Sequence, residues 1–182
     1  LYPEPRGHGN HRANGAAMTQ TSARSGYFGK YRGKVANNID PMQKGRLQVE
    51  VPAVYGTNRL NWALPCVPFA GKGHGFYMIP DIGTNIWVEF EGGNIDAPIW
   101  AGCFWGDGDC PGQLPQVKII KTQAATITLD EVNAASPVVI ETPSGNRITI
   151  TAQGITLESA SGAKVELSGP QVSINNGALE VT

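Results

Sequence analysis

Several features are scarce or missing in this 182-residue chain, and each absence narrows the reading. No apolar run is long enough to span a bilayer, and no signal-peptide apolar stretch occurs, which argues against Sec export. Amphipathic helical periodicity is missing throughout. Charged residues make up only 16%, while Gly (23) and Pro (13) are plentiful, a composition of strands and turns. Cysteine is scarce: Cys66, Cys103 and Cys110 are odd in number and stand at no metal-ligand spacing, which points to a reducing compartment. A Cys103–Cys110 bridge is one reading of them; buried free thiols are the preferred one. Catalytic signatures are missing too, with no Gly-x-Ser-x-Gly, His-Glu-x-x-His or phosphate-binding glycine loop. Gly71-Lys72-Gly73-His74-Gly75 precedes no helix and reads as a loop, His74 with it. Asp107 and Asp109, flanked by Gly106 and Gly108, read as turn acids. His8 and His11 lack a third ligand. No catalytic residue, cofactor or metal ligand is therefore assigned.

The last sixty residues contain no Trp, Phe, Tyr or Met. What they do contain is a repeated apolar pair: Ile127/Leu129, Val138/Ile140, Ile148/Ile150, Ile155/Leu157, Val165/Leu167, Val172/Ile174 and Leu179/Val181. The pairs recur every seven to eleven residues, separated by turn-formers such as Pro143-Ser144-Gly145-Asn146 and Ser168-Gly169-Pro170. Alternation of this kind makes strands with one dry and one wet face. A face two residues wide cannot close on itself, and the backbone of such a ribbon is expected to lack partners within one chain. Three copies, each supplying one wall of a β-helix, satisfy the pattern. A β-sandwich with short strands is the plainer alternative.

Upstream the chain divides further. Residues 1–26 are polar and carry Arg6, Arg12 and Arg24, so they read as an extended basic arm that lies on a partner or a neighbouring copy. Met18 offers an alternative start. Residues 27–104 read as five or six short strands, at 31–36, 46–51, 62–67, 76–79, 85–91 and 98–104, which at this size form an OB-type Greek-key barrel. Leu47, Val49 and Val51 share one face, as do Ile86, Val88 and Phe90. Residues 105–121 are a Gly/Pro/Asp-rich linker and a lead-in strand, and residues 122–182 are the repeats. Charge is uneven: residues 81–110 hold six acids and no base, against a net charge of −1 overall. That acidity disfavours phosphate binding, so Trp62, Trp87, Trp100 and Trp105 read as packing and interface residues rather than base-stacking platforms.

An ordered set of positions resembles the OB domain of phage baseplate spike proteins: the baseplate assembly protein V family, T4-like tail spikes and VgrG proteins of type VI secretion. The positions are Gly33, Val35, Asn38, Asp40 and Pro41, then Gly45, Arg46, Pro52, Trp62, Pro65 and Gly75, then Pro80, Gly83, Phe90, Glu91, Gly92, Pro98 and Gly102. The resemblance covers residues 27–182. It implies that the Lys-rich lead-in strand enters an intertwined trimeric, triple-stranded β-helix with the fourteen paired residues as its core. It also departs from the family in ways that shape the expectation. There is no room for the hub domain that precedes the barrel in VgrG proteins, so the hub is expected to be a separate protein. The C-terminal stretch has no His-x-His iron site, so Leu179, Val181 and Thr182 are expected to contact a separate PAAR-like tip protein.

The resulting expectation is an all-β, non-enzymatic homotrimer, the central spike of a contractile injection system. It would be assembled in the bacterial cytoplasm and carried in a phage-tail-like particle, with transient contact to a target membrane and none to nucleic acid. The alternatives are a single-strand nucleic-acid-binding OB protein and a β-helical polysaccharide-active tail fibre.

Overall fold

A computed structural model describes residues 26–57, 59–176 and 178–181. The basic arm up to Ser25, with His8, His11 and Met18, lies outside the described residues, as does Thr182. The chain divides into two compact units between Phe104 and Trp105.

In the first unit, β1 (Tyr31–Asn37), β2 (Leu47–Glu50), a one-turn α1 (Pro52–Tyr55) and β3 (Leu60–Pro65) come first. The two-residue strands β4 (Ala70–Gly71) and β5 (His74–Gly75) form a hairpin, and β6 (Asn85–Phe90) and β7 (Pro98–Cys103) follow. The strands close into a barrel in the order β1-β2-β3-β7-β6, antiparallel except where β3 meets β7. This is the five-stranded Greek-key order of an OB-type barrel, and closure leaves β1 bonded on both sides. Strict alternation builds its core: Val35, Leu47, Val49, Val51, Ile86 and Val88 are buried, with Phe90 and Trp100 beside them. Gly33 permits the tight approach of β1 to β2, because a Cβ there would stand 2.7 Å from the Glu50 carbonyl oxygen.

Three sequence expectations change in this unit. Gly71–Gly75, read as a loop, forms the β4–β5 hairpin, with His74 on β5. Residues 76–79 are not a strand: β5 ends at Gly75, and Phe76, Tyr77 and Met78 project outside the barrel. Phe76–Ile79 is a short apolar run, and such a run makes a strand only where it finds a ladder partner. α1 was not expected, because four residues carry no helical period; its signal is only Pro52 at the start and Gly56, with φ +69, at the end.

The second unit is one sheet of eight strands laid down in sequence order. They are β8 (Val117–Lys121), β9 (Thr126–Asp130), β10 (Val138–Glu141), β11 (Arg147–Ile150), β12 (Gly154–Glu158), β13 (Lys164–Ser168), β14 (Gln171–Ile174) and β15 (Leu179–Val181). Every neighbouring pair is antiparallel. Hydroxyls close the hairpins. Thr122 Oγ1 accepts from the Ala124 and Ala125 amides, Thr151 Oγ1 from Gln153 and Gly154, and Ser159 Oγ from Ala163. This meander corrects the expectation that the backbone would lack partners within one chain. Each inner strand bonds to its own sequence neighbours, and among the described residues the outer edges of β8 and β15 stay open. What one chain leaves unmet is the cover for its apolar face.

Candidate functional site

Cross-strand register turns the apolar pairs into two straight rows on one face of the sheet. The first row runs Ile120, Ile127, Ile140, Ile148, Leu157, Val165, Ile174, Leu179. The second runs Lys118, Leu129, Val138, Ile150, Ile155, Leu167, Val172, Val181. Seven inter-strand steps of about 4.8 Å make the rows about 34 Å long. Ile120, Ile127, Leu129, Ile140, Ile150, Ile155, Leu157, Leu167 and Leu179 are all exposed, Leu179 to 56%. Val138, Ile148, Val165, Val172 and Ile174 are half-buried. A contiguous apolar strip of this length marks a contact surface. The opposite face carries Thr128, Thr149, Thr156, Glu166 and Ser173 along its middle, with Val139 buried among them.

Ile120 carries no apolar-pair signal in the sequence, because its alternation partner is Lys118. Val139 was missed because the residues two places before and after it are Pro137 and Glu141, so nothing apolar repeats on its face.

The polar face has its own order. Glu141, Arg147, Glu158 and Lys164 are successive cross-strand partners of alternating sign, the first two joined at 3.0 Å. Lys164 meets Glu166 at 2.7 Å, and that bond raises its pKa. Opposite charges directly across strands favour this register over its slips.

In the barrel, the motif residues are spread over turns and strands, and three of them, Gly45, Pro65 and Gly75, line one cavity with His74 and Trp100. At one end, Asn38 Nδ2 donates to the Pro80 carbonyl at 3.0 Å, and the Gly83 amide to the Val35 carbonyl at 2.8 Å. Asp40 accepts from the Met42, Lys44 and Arg46 amides and from the Arg46 guanidinium at 2.7 Å, closing the loop that Pro41 enters. The guanidinium and those amides hold the Asp40 carboxyl far below the usual carboxylate range. Arg46 also lies over the Trp62 ring at 5.1 Å. Gly45, at φ +70, accepts from Trp100 Nε1 at 3.1 Å, and Pro65 packs nearby.

Phe90, Glu91, Gly92 and Pro98 belong to the β6–β7 turn at the opposite end, where the Glu91 amide donates to Ala97 and Gly92 has φ +58. Gly33 and Val35 lie on β1, Pro52 opens α1, Gly75 ends β5, and Gly102 sits within β7 at φ +110. Most of these residues shape the chain's turns.

Of the four tryptophans, Trp100 is buried, Trp62 and Trp87 are half-buried and Trp105 is exposed. Trp87 stacks near Phe104, and both rings lie under the Arg32 guanidinium. The cysteines are free but exposed, not buried as expected. Asp109 accepts from the Gly106 amide at 3.0 Å, the bond of a turn acid. Among the described residues no His/Cys/Asp/Glu cluster could hold a metal, and no helix is long and apolar enough to cross a membrane. Leu179 and Val181 lie on the last strand of the sheet.

Comparison with known families gives two matches. Residues 31–105 match the type VI secretion system/phage-baseplate injector OB domain. Residues 116–180 match the phage baseplate V C-terminal trimerisation domain. No curated protein matches the chain.

Proposed function

The chain belongs to the phage-baseplate spike family, and on that premise we propose that it is the central spike of a contractile injection system, a passive homotrimeric needle. The observation that carries this reading is the pair of apolar rows left uncovered on one face of the sheet. Three such faces turned toward a common axis bury Ile127, Leu129, Val138, Ile140, Ile148, Ile150, Ile155, Leu157, Val165, Leu167, Val172, Ile174, Leu179 and Val181 together. Each Val, Ile or Leu so covered is worth about 1.5–3 kcal/mol against full exposure, and the strands stay bonded within their own chains. Opening such a rod locally exposes several copies at once, which makes it kinetically resistant. A needle driven by another engine needs stiffness and no chemistry of its own.

On this reading the barrel docks on a separate hub protein, with the basic arm as a clamp on an acidic neighbour. A PAAR-like protein covers Leu179, Val181 and Thr182, and the assembled particle presses the needle through a target membrane. Assembly takes place in the bacterial cytoplasm.

Native mass of the purified chain tests the oligomer: three chains of 19.3 kDa give about 58 kDa. A monomer sinks the reading. Electron microscopy and envelope-leakage assays then test the needle. Wild-type particles are expected to show axial baseplate density and to permeabilise target cells on contraction. Contraction with an intact needle and no leakage removes the piercing role, and salt-sensitive single-strand binding would favour a nucleic-acid-binding role instead.

A further inference from the structure

Fifteen of the sixteen positions in the two rows are Val, Ile or Leu; the exception is Lys118, opposite Leu129 on β8. Its ammonium meets the carboxylate of Glu131. Glu131 continues the β8–β9 ladder one step beyond the Val117–Asp130 pair, its amide donating to the Gln116 carbonyl at 3.2 Å. It stands two places past Leu129, just beyond the end of β9, and the ion pair brings its carboxylate to the Lys118 side chain on the row. A lysine–glutamate pair therefore ends an otherwise apolar contact surface. Both side chains are half-exposed in the single chain. An isolated surface pair of that kind contributes little.

The rows themselves pose a problem that this pair solves. Val, Ile and Leu at every strand make one step along the row much like the next. Three copies could slip by a strand, about 4.8 Å, or pack head to tail, with nearly the same apolar burial. A single polar mark at one end removes that degeneracy, as a lone polar residue does in a coiled-coil core. Slippage would seat Lys118 against a neighbour's Leu129 or Ile127 and strip its ammonium of water without a partner. Head-to-tail packing would set it against Leu179 and Val181, where the rows hold no acid.

We propose that Lys118 and Glu131 of three copies form a six-charge collar at the β8 edge of the trimer, each ammonium shared with a neighbour's carboxylate, and that this collar fixes the parallel, in-register alignment of the chains. The inference rests on the homotrimer reading above.

The test uses the full chain, by native mass and by affinity pull-down of an untagged copy through a tagged one. Wild type gives the trimer. Lys118→Glu and Glu131→Lys, made separately, carry six like charges at one height and are expected to weaken the trimer about tenfold or more. Co-expression of the two is expected to restore mixed trimers in part, because opposite charges then meet only between copies. Circular dichroism of each variant confirms that its β-structure persists. A trimeric wild type whose single reversals assemble equally well overturns the collar and leaves the trimer standing. Rescue by the double reversal on one chain, with none by co-expression, overturns it as well, since the pair would then act within its own chain. A monomeric wild type overturns the collar together with the reading beneath it.

Discussion

Asp40 and Arg46 clasp the two ends of one barrel loop, Arg46 Nη2 donating to Asp40 Oδ1 at 2.7 Å while Nε donates to the same oxygen at 3.1 Å. The same carboxylate takes three backbone amides, so one side chain organises the whole connection between β1 and β2. The loop in turn presents Gly45 to Trp100.

A pH dependence follows. The folded-state pKa of Asp40 is depressed, so its contribution is fully present above the unfolded value, near pH 4, and is lost as acid takes the pH toward the much lower folded value. Asp40→Asn is expected to lower the melting temperature at pH 7, and the gap to wild type should narrow below about pH 4. Thermal denaturation at pH 7 and pH 3 measures it. A gap that stays constant with pH would show that the ionised carboxylate contributes nothing.

Trp100 is buried at 4% exposure and its indole nitrogen is committed to Gly45. Trp100→Phe leaves the carbonyl without that donor and opens space beside it. The expected loss is about 1–3 kcal/mol, read from the urea midpoint of the barrel transition. Retention of wild-type stability would mean that water replaces the indole without cost.

Leu157 lies mid-row, between Ile148 and Val165. Leu157→Asp would put a carboxylate into each wall of the proposed core, at a cost of about 2–5 kcal/mol or more per chain. Sedimentation should then show a species of one chain, with the barrel still folded. A persisting trimer would locate the contact surface elsewhere.

Gly154 is constrained by its neighbour rather than by its own φ. A Cβ there would fall 1.9 Å from the Leu167 carbonyl oxygen, a backbone atom that cannot swing aside. Gly154→Ala should force β12 and β13 apart at that end and cost about 1–3 kcal/mol or more. Amide hydrogen exchange would localise the loosening to the strands that carry Ile155 and Leu167. Unchanged protection there would mean that the sheet absorbs the methyl by bending.

Much of this architecture was legible in the sequence, because alternation is a local property. Leu47, Val49 and Val51 announced a strand with one dry face, and so did each Ile/Leu/Val pair from Ile127 onward. Turn chemistry was equally local: Asp40-Pro41 and the glycine-rich separators name their turns by the conformations their residues allow. Residues 76–79 mislead for the same reason, since a short apolar run does not say whether a neighbouring strand exists. Ile120 went unread because a lysine replaced its partner, and α1 because one turn has no period.

By itself, then, the sequence determined strand spacing, turn positions, the two-residue width of the apolar face and the absence of aromatic bulk that would let one chain cover it. Only the tertiary structure decided which strands bond. Pairing depends on register between distant residues, and register is invisible to local pattern. That decision lined fourteen apolar side chains into two rows, set Lys118 beside Glu131 at their end, and gave the backbone its partners within a single chain while leaving the face uncovered.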